Sequence, residues 1–278
     1  MVFQDFIEID GKHGRSIMAD IRYEPSNEAK PILIFSHGFK GFKDWGHFNL
    51  IADAFANEGF VLIKFNFSHN GGTIDQLIDF PDLDAFANNN FTIELDDLGS
   101  VIDWLYSTDI FSEQELDKEN ISLLGHSRGG AIAILKGNED QRVKKVISWS
   151  AVSTMERWDN ETLEKWKKEG ILYVLNGRTK QNMPMFFQLY DNYMANINRL
   201  DVARACSSMN IPQLIIHGTE DDSVKPSEAN CLHQLNPKSV LRLIEGANHT
   251  LGGKHPFDGN ELPEYTRIAI DKTINFIK

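Results

Sequence analysis

Ile121-Ser122-Leu123-Leu124-Gly125-His126-Ser127-Arg128-Gly129-Gly130 decides how this chain is to be read. Ile121 to Leu124 are mostly apolar, a run short enough for a buried strand. Gly125, Ser127 and Gly129 then set a G-x-S-x-G pattern, and Ala131, Ile134 and Leu135 follow at helical spacing. A serine between a strand and a helix stands on a sharp turn, exposed at the end of a sheet. The turn leaves no room for side chains two positions to either side, a demand glycine meets. A helix starting at Ser127 aims its first free N–H groups at whatever the hydroxyl attacks. Five residues alone also describe an ordinary glycine-flanked turn, so the reading depends on their surroundings.

Outward from this stretch, strand and helix patterns alternate. Upstream, Pro31 opens the apolar run Ile32–Phe35, which ends in His37-Gly38-Phe39-Lys40-Gly41. Phe48, Ile51, Ala52 and Phe55 mark a helix face, Gly59 stops it, and Phe60–Phe67 is the next strand. Leu98, Val101, Ile102 and Leu105 mark another helix, with a polar loop over 112–120 leading to the serine strand. Two segments near the start, Phe3–Ile9 and Ser16–Tyr23, read as an antiparallel pair at a sheet edge, the second alternating apolar and polar. Downstream, Val143–Ser150 is a strand, after which the alternation breaks. Residues 151–205 are rich in Trp, Met, Phe and Tyr. They predict a helix over Glu161–Glu169 closed by Gly170, a hairpin at Leu172–Leu175 with Asn176-Gly177, and one helical stripe from Phe186 to Ile197. This segment is expected to be a cap insertion with a small core of its own, with 1–150 and 206–278 as the main domain. Leu214–Ile216, Pro226–Leu235, Val240–Ile244 and a closing helix around Ile270 restore the alternation. Such alternation implies a mostly parallel twisted sheet with helices on both faces and active residues at the carboxyl ends of its strands.

The chain has 278 residues and a net charge of −12, which argues against a nucleic-acid or anionic-membrane partner, since either needs a basic face. Cys206 and Cys231 belong to no C-x-x-C or Cys/His cluster, so no metal site is implied and two buried thiols are expected. Met1-Val2-Phe3-Gln4-Asp5 lacks a basic region followed by an apolar run, and no stretch is long enough to span a membrane. The expected location is cytoplasmic.

A serine hydroxyl needs a base to take its proton, and the base needs a carboxylate to fix its tautomer. Ser127, Asp221 and His249 occur in the chain order nucleophile, acid, histidine, each just past a predicted strand end. With these residues the chain resembles the α/β-hydrolase superfamily over nearly all its length. The resemblance implies an α/β-hydrolase fold of about eight strands with a small cap. The His37-Gly38-Phe39 turn, the short cap and the Gly218-x-x-Asp221-x-x-Val224 loop most resemble feruloyl/cinnamoyl-type carboxylesterases, dienelactone-hydrolase-like proteins and prolyl-oligopeptidase-like catalytic domains. Asp221 fits the acid's offsets from Gly218 and Val224; Asp222 fits neither and is expected to face solvent or cap the helix near Pro226. The departures are equally specific. The turn is not the HGGG type of many lipases, there is no room for a propeller, and the nucleophile is neither the cysteine of dienelactone hydrolases nor the aspartate of haloalkane dehalogenases and epoxide hydrolases. The resemblance places the oxyanion donors at the backbone N–H groups of Phe39 and Arg128.

The implied activity is a serine carboxylesterase acting on a small to medium ester through an acyl-enzyme, with no cofactor and no metal, by a monomer or homodimer. The rivals are an aminopeptidase-type amide hydrolase, in which Glu156, Asp159 or Asp191 would hold the substrate amine, a thioesterase, and a binding protein that has lost turnover. Candidate substrate contacts are His37, His126, Trp158, Met183, Phe186 and Tyr190, though His37 and His126 also read as backbone-bonded supports. His47 and His69 read as loop residues, His255 is the rival base, and Glu94, Asp96 and Asp97 read as the solvated face of a helix.

Overall fold

The computed structural model describes residues 2–26, 28–111 and 115–278. Part of the polar loop expected ahead of the serine strand, 112–114, lies outside the described residues. The element order is β1 (Phe3–Ile9), β2 (Ile17–Tyr23), β3 (Lys30–Ser36), α1 (Phe48–Asn57), β4 (Val61–Asn66), α2 (Leu83–Asn88), α3 (Phe91–Ser107), β5 (Leu116–His126), α4 (Arg128–Glu139) and β6 (Val143–Trp149). There follow α5 (Asn160–Glu169), β7 (Ile171–Leu175), β8 (Asn182–Phe186), α6 (Gln188–Ala195), α7 (Ile197–Leu200), α8 (Val202–Ser207), β9 (Gln213–Gly218), α9 (Pro226–Leu235), β10 (Val240–Ile244) and α10 (Glu264–Ile277).

Eight strands form one sheet in the order β1-β2-β4-β3-β5-β6-β9-β10. β2 runs antiparallel to both β1 and β4, and the remaining pairings are parallel. The central strands are apolar on both faces because both are covered. Ile32, Ile34, Leu123 and Ile215 join the core under α3, α4 and α9, whereas Leu33, Phe35, Leu124 and Ile216 join the core under α1 and α10. Successive residues of one strand therefore feed opposite layers, the period of two a strand imposes. Each such side chain, fully buried, contributes roughly 1.5–3 kcal/mol.

β1 and β2 form the expected antiparallel pair at one edge of the sheet, and only the burial of β2 departs from its alternating sequence. β2 lies one strand in from the edge and all seven of its residues are buried. Its polar positions are matched inside. Asp20 faces Lys64 of β4 and meets Lys43 Nζ at 2.8 Å, while Arg22 pairs with Asp53 and with Asn49 Oδ1 at 2.9 Å. Alternation in the sequence reports side-chain chemistry, and here charge pairing, not solvent, meets the polar face.

The register brings the functional ends level. Ser36 pairs with Gly125, His126 with Trp149, and Trp149 with Ile216, so β3, β5, β6 and β9 end along one edge. Ser127 N–H donates to Trp149 O and Ser150 N–H to Ile216 O, both at 2.9 Å, which carries the alignment one residue past the strands.

Residues 151–205 add no strand to this sheet. The hairpin β7–β8 forms, joined by a six-residue connection over 176–181 in place of a tight Asn-Gly turn, and Gly170 closes α5 at φ 74°. The helical stripe expected from Phe186 is split: Phe186 ends β8, and α6 and α7 follow. Trp166, Met183, Met185, Leu189 and Tyr193 are buried in the same continuous core as Leu95, Leu98 and Ala131, rather than in a separate small core. Polar ties fix the segment to the start of α3: Asn90 Nδ2 to Gln188 Oε1 at 3.0 Å and Thr92 Oγ1 to Asn192 Oδ1 at 2.7 Å. Of the cysteines, Cys206 is buried and Cys231 exposed, and both are free. Among the described residues no helix is long and apolar enough to cross a membrane.

Candidate active site

Ser127 occupies the turn between β5 and α4 with φ 56° and ψ −122°. Side-chain-bearing residues avoid positive φ, and holding one there costs on the order of 1–3 kcal/mol. The surroundings enforce it. A Cβ on Gly125 would lie 2.1 Å from Gly129 O, and one on Gly129 would lie 2.3 Å from Ser36 O, so strand and helix can approach only through glycine. The loop after β3 comes equally near: a Cβ on Gly38 would stand 2.9 Å from Ser127 Cβ.

Asp221 and His249 meet at the same edge. Glu220 N–H donates to Ala247 O and Thr219 N–H to Ile244 O, each at 3.0 Å, tying the loop after β9 to the loop after β10. His249 Nδ1–H donates to Asp221 Oδ2 at 2.8 Å. Asp221 is buried, and its Oδ1 accepts the N–H groups of Ser223 and Val224 at 3.0 and 2.8 Å. His217, also buried, brings Nε2 to 3.2 Å from Asp221 Oδ2 and 2.8 Å from Val224 O. Burial alone would push the Asp221 carboxyl up. Hydrogen bonds from His217, His249 and the Val224 N–H outweigh it and hold the group below the usual carboxylate range. Asp222, its neighbour, is exposed and accepts from Ser223 Oγ at 3.1 Å. His249 is held from behind as well, since its carbonyl accepts from His126 Nε2–H at 2.8 Å. With Nδ1 on Asp221, Nε2 of His249 has no protein partner among the described residues, and Ser127 Oγ makes no hydrogen bond to it.

Ser127 and His249 face a cleft of two lobes. The larger, about 430 Å³, is lined by Phe91, Met155, Trp158, Val174 and Met185 among others; the smaller, about 130 Å³, by Trp45, Phe48, His126 and Thr250. Phe39 and Lys40 border both. Among the described residues the backbone N–H groups of Phe39 and Arg128 donate to no protein acceptor.

Of the candidate substrate contacts, Trp158 lines the larger lobe and His126 the smaller. Met183, Phe186 and Tyr190 border neither. Met183 is wholly buried under the hairpin, Met185 two residues on reaches the lobe, and Tyr190 packs edge-on behind Trp158 at 6.3 Å. His37 is also absent from both lobes. Its Nδ1–H donates to Gly38 O at 2.9 Å and its Nε2 accepts the Phe67 N–H at 3.3 Å, while burial pushes its pKa down to about 4. His255 stands away from Ser127, accepting the Gly46 N–H at 2.8 Å against the Phe42 ring. His47 bonds Thr266 Oγ1 and His69 bonds Ser68 Oγ, both at 2.9 Å.

The acidic run on α3 is not a solvated face. Asp96 is partly exposed and paired with Arg199 and His13, but Glu94 and Asp97 are buried. Glu94 Oε1 accepts Arg128 Nη1–H at 3.0 Å and Asn89 Nδ2–H at 2.7 Å. The Arg128 guanidinium lies over the Phe39 ring at 4.1 Å and the Phe91 ring at 5.2 Å. The sequence held a signal for this: stepping back from Leu98 by four and seven residues along the apolar stripe reaches Glu94 and Phe91. Among the described residues no group of His, Cys, Asp and Glu is gathered as a metal would need.

This sheet, with its serine turn at the end of a central strand, makes the chain an α/β hydrolase. The family model of the prolyl oligopeptidase family matches residues 46–263, and the chain belongs to that family. An uncharacterised 31.7 kDa protein from the traX-finO intergenic region of Escherichia coli is 26% identical over 171 residues, 60% of this chain and 53% of that protein. The chain thus spans about half the length of the curated relatives it matches. Est1E of Butyrivibrio proteoclasticus, solved with ferulic acid bound, superposes with a TM-score of 0.71 at 17% identity, covering 98% of this chain and 99% of that one. The α/β hydrolase GrgF of a Penicillium species gives a TM-score of 0.71 at 14% identity, covering 99% and 98%. These solved structures share the fold.

Proposed function

We propose that the chain is a serine hydrolase that cleaves carboxylic esters through an acyl-enzyme on Ser127. One observation carries the reading: a serine held at φ 56° opens onto the same cleft as His249, whose Nδ1 is bonded to a buried, ionised Asp221. His249 Nε2 takes the proton of Ser127 Oγ as the oxygen adds to the ester carbonyl. The oxyanion is received by the free N–H groups of Phe39 and Arg128. His249 then gives the proton to the departing alkoxide, and water repeats the sequence on the acyl-enzyme. Asp221 keeps the imidazole in the tautomer with Nε2 unprotonated and stabilises the imidazolium. The Ser127–His249 hydrogen bond closes as substrate displaces solvent, as in many resting hydrolases. Residues 151–205 act as a cap, with Trp158, Met155 and Met185 roofing an apolar acyl or aromatic site.

A peptidase reading has the family match in its favour. The carboxylates that could hold a free substrate amine do not support it: Glu156, Asp159 and Asp191 are exposed and border neither lobe. The test is a fluorophosphonate probe followed by turnover of p-nitrophenyl acetate, butyrate and a feruloyl ester against aminoacyl-anilides. Labelling at Ser127 with ester turnover is expected. No labelling of folded protein, or faster anilide cleavage, would overturn the ester reading.

A further inference from the structure

The charge around the larger lobe runs against that of the whole molecule. The chain carries −12, yet among the described residues the charged side chains lining this lobe are Lys40, Arg128 and Arg157, with no carboxylate. Two of these cations are matched from outside the lining. Arg128 is paired with Glu94 at 3.0 Å, and Arg157 with Glu228 at 2.8 Å. Lys40 is not. Its ammonium donates to Leu175 O at 3.2 Å and stands over the Phe39 ring at 5.5 Å, and among the described residues no carboxylate is paired with it. An ammonium has three N–H donors, and one carbonyl uses one of them. Lys40 is half-buried and is fixed in the turn after Gly38 with φ 56°, so its stem leaves the backbone beside the nucleophile.

We infer that Lys40 forms an anion subsite within the cleft, and that the preferred substrate is an ester carrying a second group that is a carboxylate. The inference rests on the ester-hydrolase reading and names its substrate class. A carboxylate placed between Lys40 and the Arg157 side of the lobe completes the ion pairing that the protein leaves open, and the apolar wall of Trp158, Met155 and Met185 accepts the carbon chain between the two ends. Burial and the nearby Arg128 charge together lower the Lys40 pKa, the mark of a cation short of counter-charge. The same field rejects a substrate ammonium, which separates this site from one built to hold a free peptide amine.

Three p-nitrophenyl esters of one chain length test it: those of adipic acid, of its terminal amide, and of 6-aminohexanoic acid. Wild-type protein is expected to favour the adipate over the amide by about tenfold to a hundredfold in kcat/KM, the range of a charge-assisted hydrogen bond. The preference should reside in KM, fall as salt is raised, collapse towards unity in Lys40→Gln and persist in Lys40→Arg. The salt dependence is read on wild-type protein, so the outcome does not hang on a variant folding. Equal rates on adipate and amide, fastest turnover of the amino ester, or a preference unchanged in folded Lys40→Gln would overturn the anion subsite while leaving the ester reading standing. No turnover of any of the three would overturn both.

Discussion

The edge that carries Ser127, Asp221 and His249 and the segment that faces it, residues 151–205, are held by different forces. At the edge the backbone does the positioning. Strand register levels the loops, main-chain bonds tie the β9 and β10 loops together, and glycine contacts leave the serine one conformation. Across the cleft, side chains do it: Trp158 stacks on Phe91 at 6.3 Å and tilts against Trp166 at 5.1 Å, and the segment's core is continuous with that of the sheet. Backbone constraints give a geometry that tolerates little change, as proton transfer requires. Packed aromatic surfaces give a wall whose shape can be altered one residue at a time, as substrate choice requires. Substitutions should therefore separate into losses of rate on one side and changes of preference on the other.

The largest contrast is expected at the acid. In the proposed mechanism Asp221→Asn removes the charge that stabilises the imidazolium and favours the wrong tautomer of His249, and it should lower kcat by about 10⁴. Asp222→Asn alters an exposed side chain that accepts from Ser223 and should cost less than about tenfold. Kinetics of both variants, each checked by circular dichroism, decide it. A larger loss for Asp222→Asn would mean that the edge does not position the acid as described.

The next effect lies where the two regions touch. Glu94 holds the Arg128 guanidinium against the Phe39 ring, and Arg128 and Phe39 are the residues whose backbone N–H groups are proposed to receive the oxyanion. Glu94→Gln keeps an acceptor but removes the charge, so the clamp loosens. Losing one oxyanion donor outright costs ~10²–10³; a loosened pair should cost roughly tenfold in kcat with KM little changed. A change confined to KM would place Glu94 with the substrate wall and blur the division.

What the sequence disclosed follows the same division. The serine turn was legible because its constraint is local, a few residues in which only glycines satisfy the close approaches. The contact of Asp221 with His249 was legible through the resemblance, which puts a carboxylate three residues after this glycine and three before this valine. The central strands of the sheet followed from apolar runs buried on both faces. Apart from Trp158, the cleft wall was not legible, because it depends on how α6 docks on α3 and β8 on α2, and nothing local distinguishes Met185, which reaches the cleft, from Met183, which does not. Glu94 and Asp97 were misread because charge was weighed ahead of helical period, and the period places both on the inner face.

On the side of residues 151–205 the effect should be smaller and selective. Trp158→Ala removes a wall of the larger lobe and a partner of Phe91, Trp166 and Tyr190. Turnover of p-nitrophenyl acetate should fall by less than about threefold, whereas KM for a hexanoate or feruloyl ester should rise by roughly tenfold, as expected for the loss of 1–3 kcal/mol of apolar contact. Equal losses on every ester would mean that the segment supports the edge instead of choosing the substrate.

The smallest effect on activity, and the one that isolates the shared support, concerns Asp97. It lies one helical turn beyond Glu94, on the inner face of α3, fully buried. Oδ2 accepts the Ser68 N–H at 2.7 Å, and Oδ1 has no hydrogen-bond partner among the described residues. Burial, opposed by the bonds from Ser68, pushes its pKa up to about 7. In the unfolded chain an aspartate titrates near 3.9. Between about 4 and 7 the folded protein therefore binds more protons than the unfolded one, so this group makes stability fall as pH rises through that window. Below it both states are protonated and the contribution is full; above it both are ionised and it is lost. Asp97→Asn keeps the acceptor for Ser68 and carries no charge to bury. The variant should melt close to wild type at pH 4 and above it at pH 8, by several degrees, since each kcal/mol moves Tm by roughly 2–4 °C in a chain of this size. Asp97 touches neither lobe of the cleft, so the acetate-to-hexanoate preference should stay as it was. A Tm difference independent of pH would show that Asp97 is ionised throughout. A shift in ester preference would show that α3 transmits its own position to the wall, and that the edge and the segment are less separable than their different construction implies.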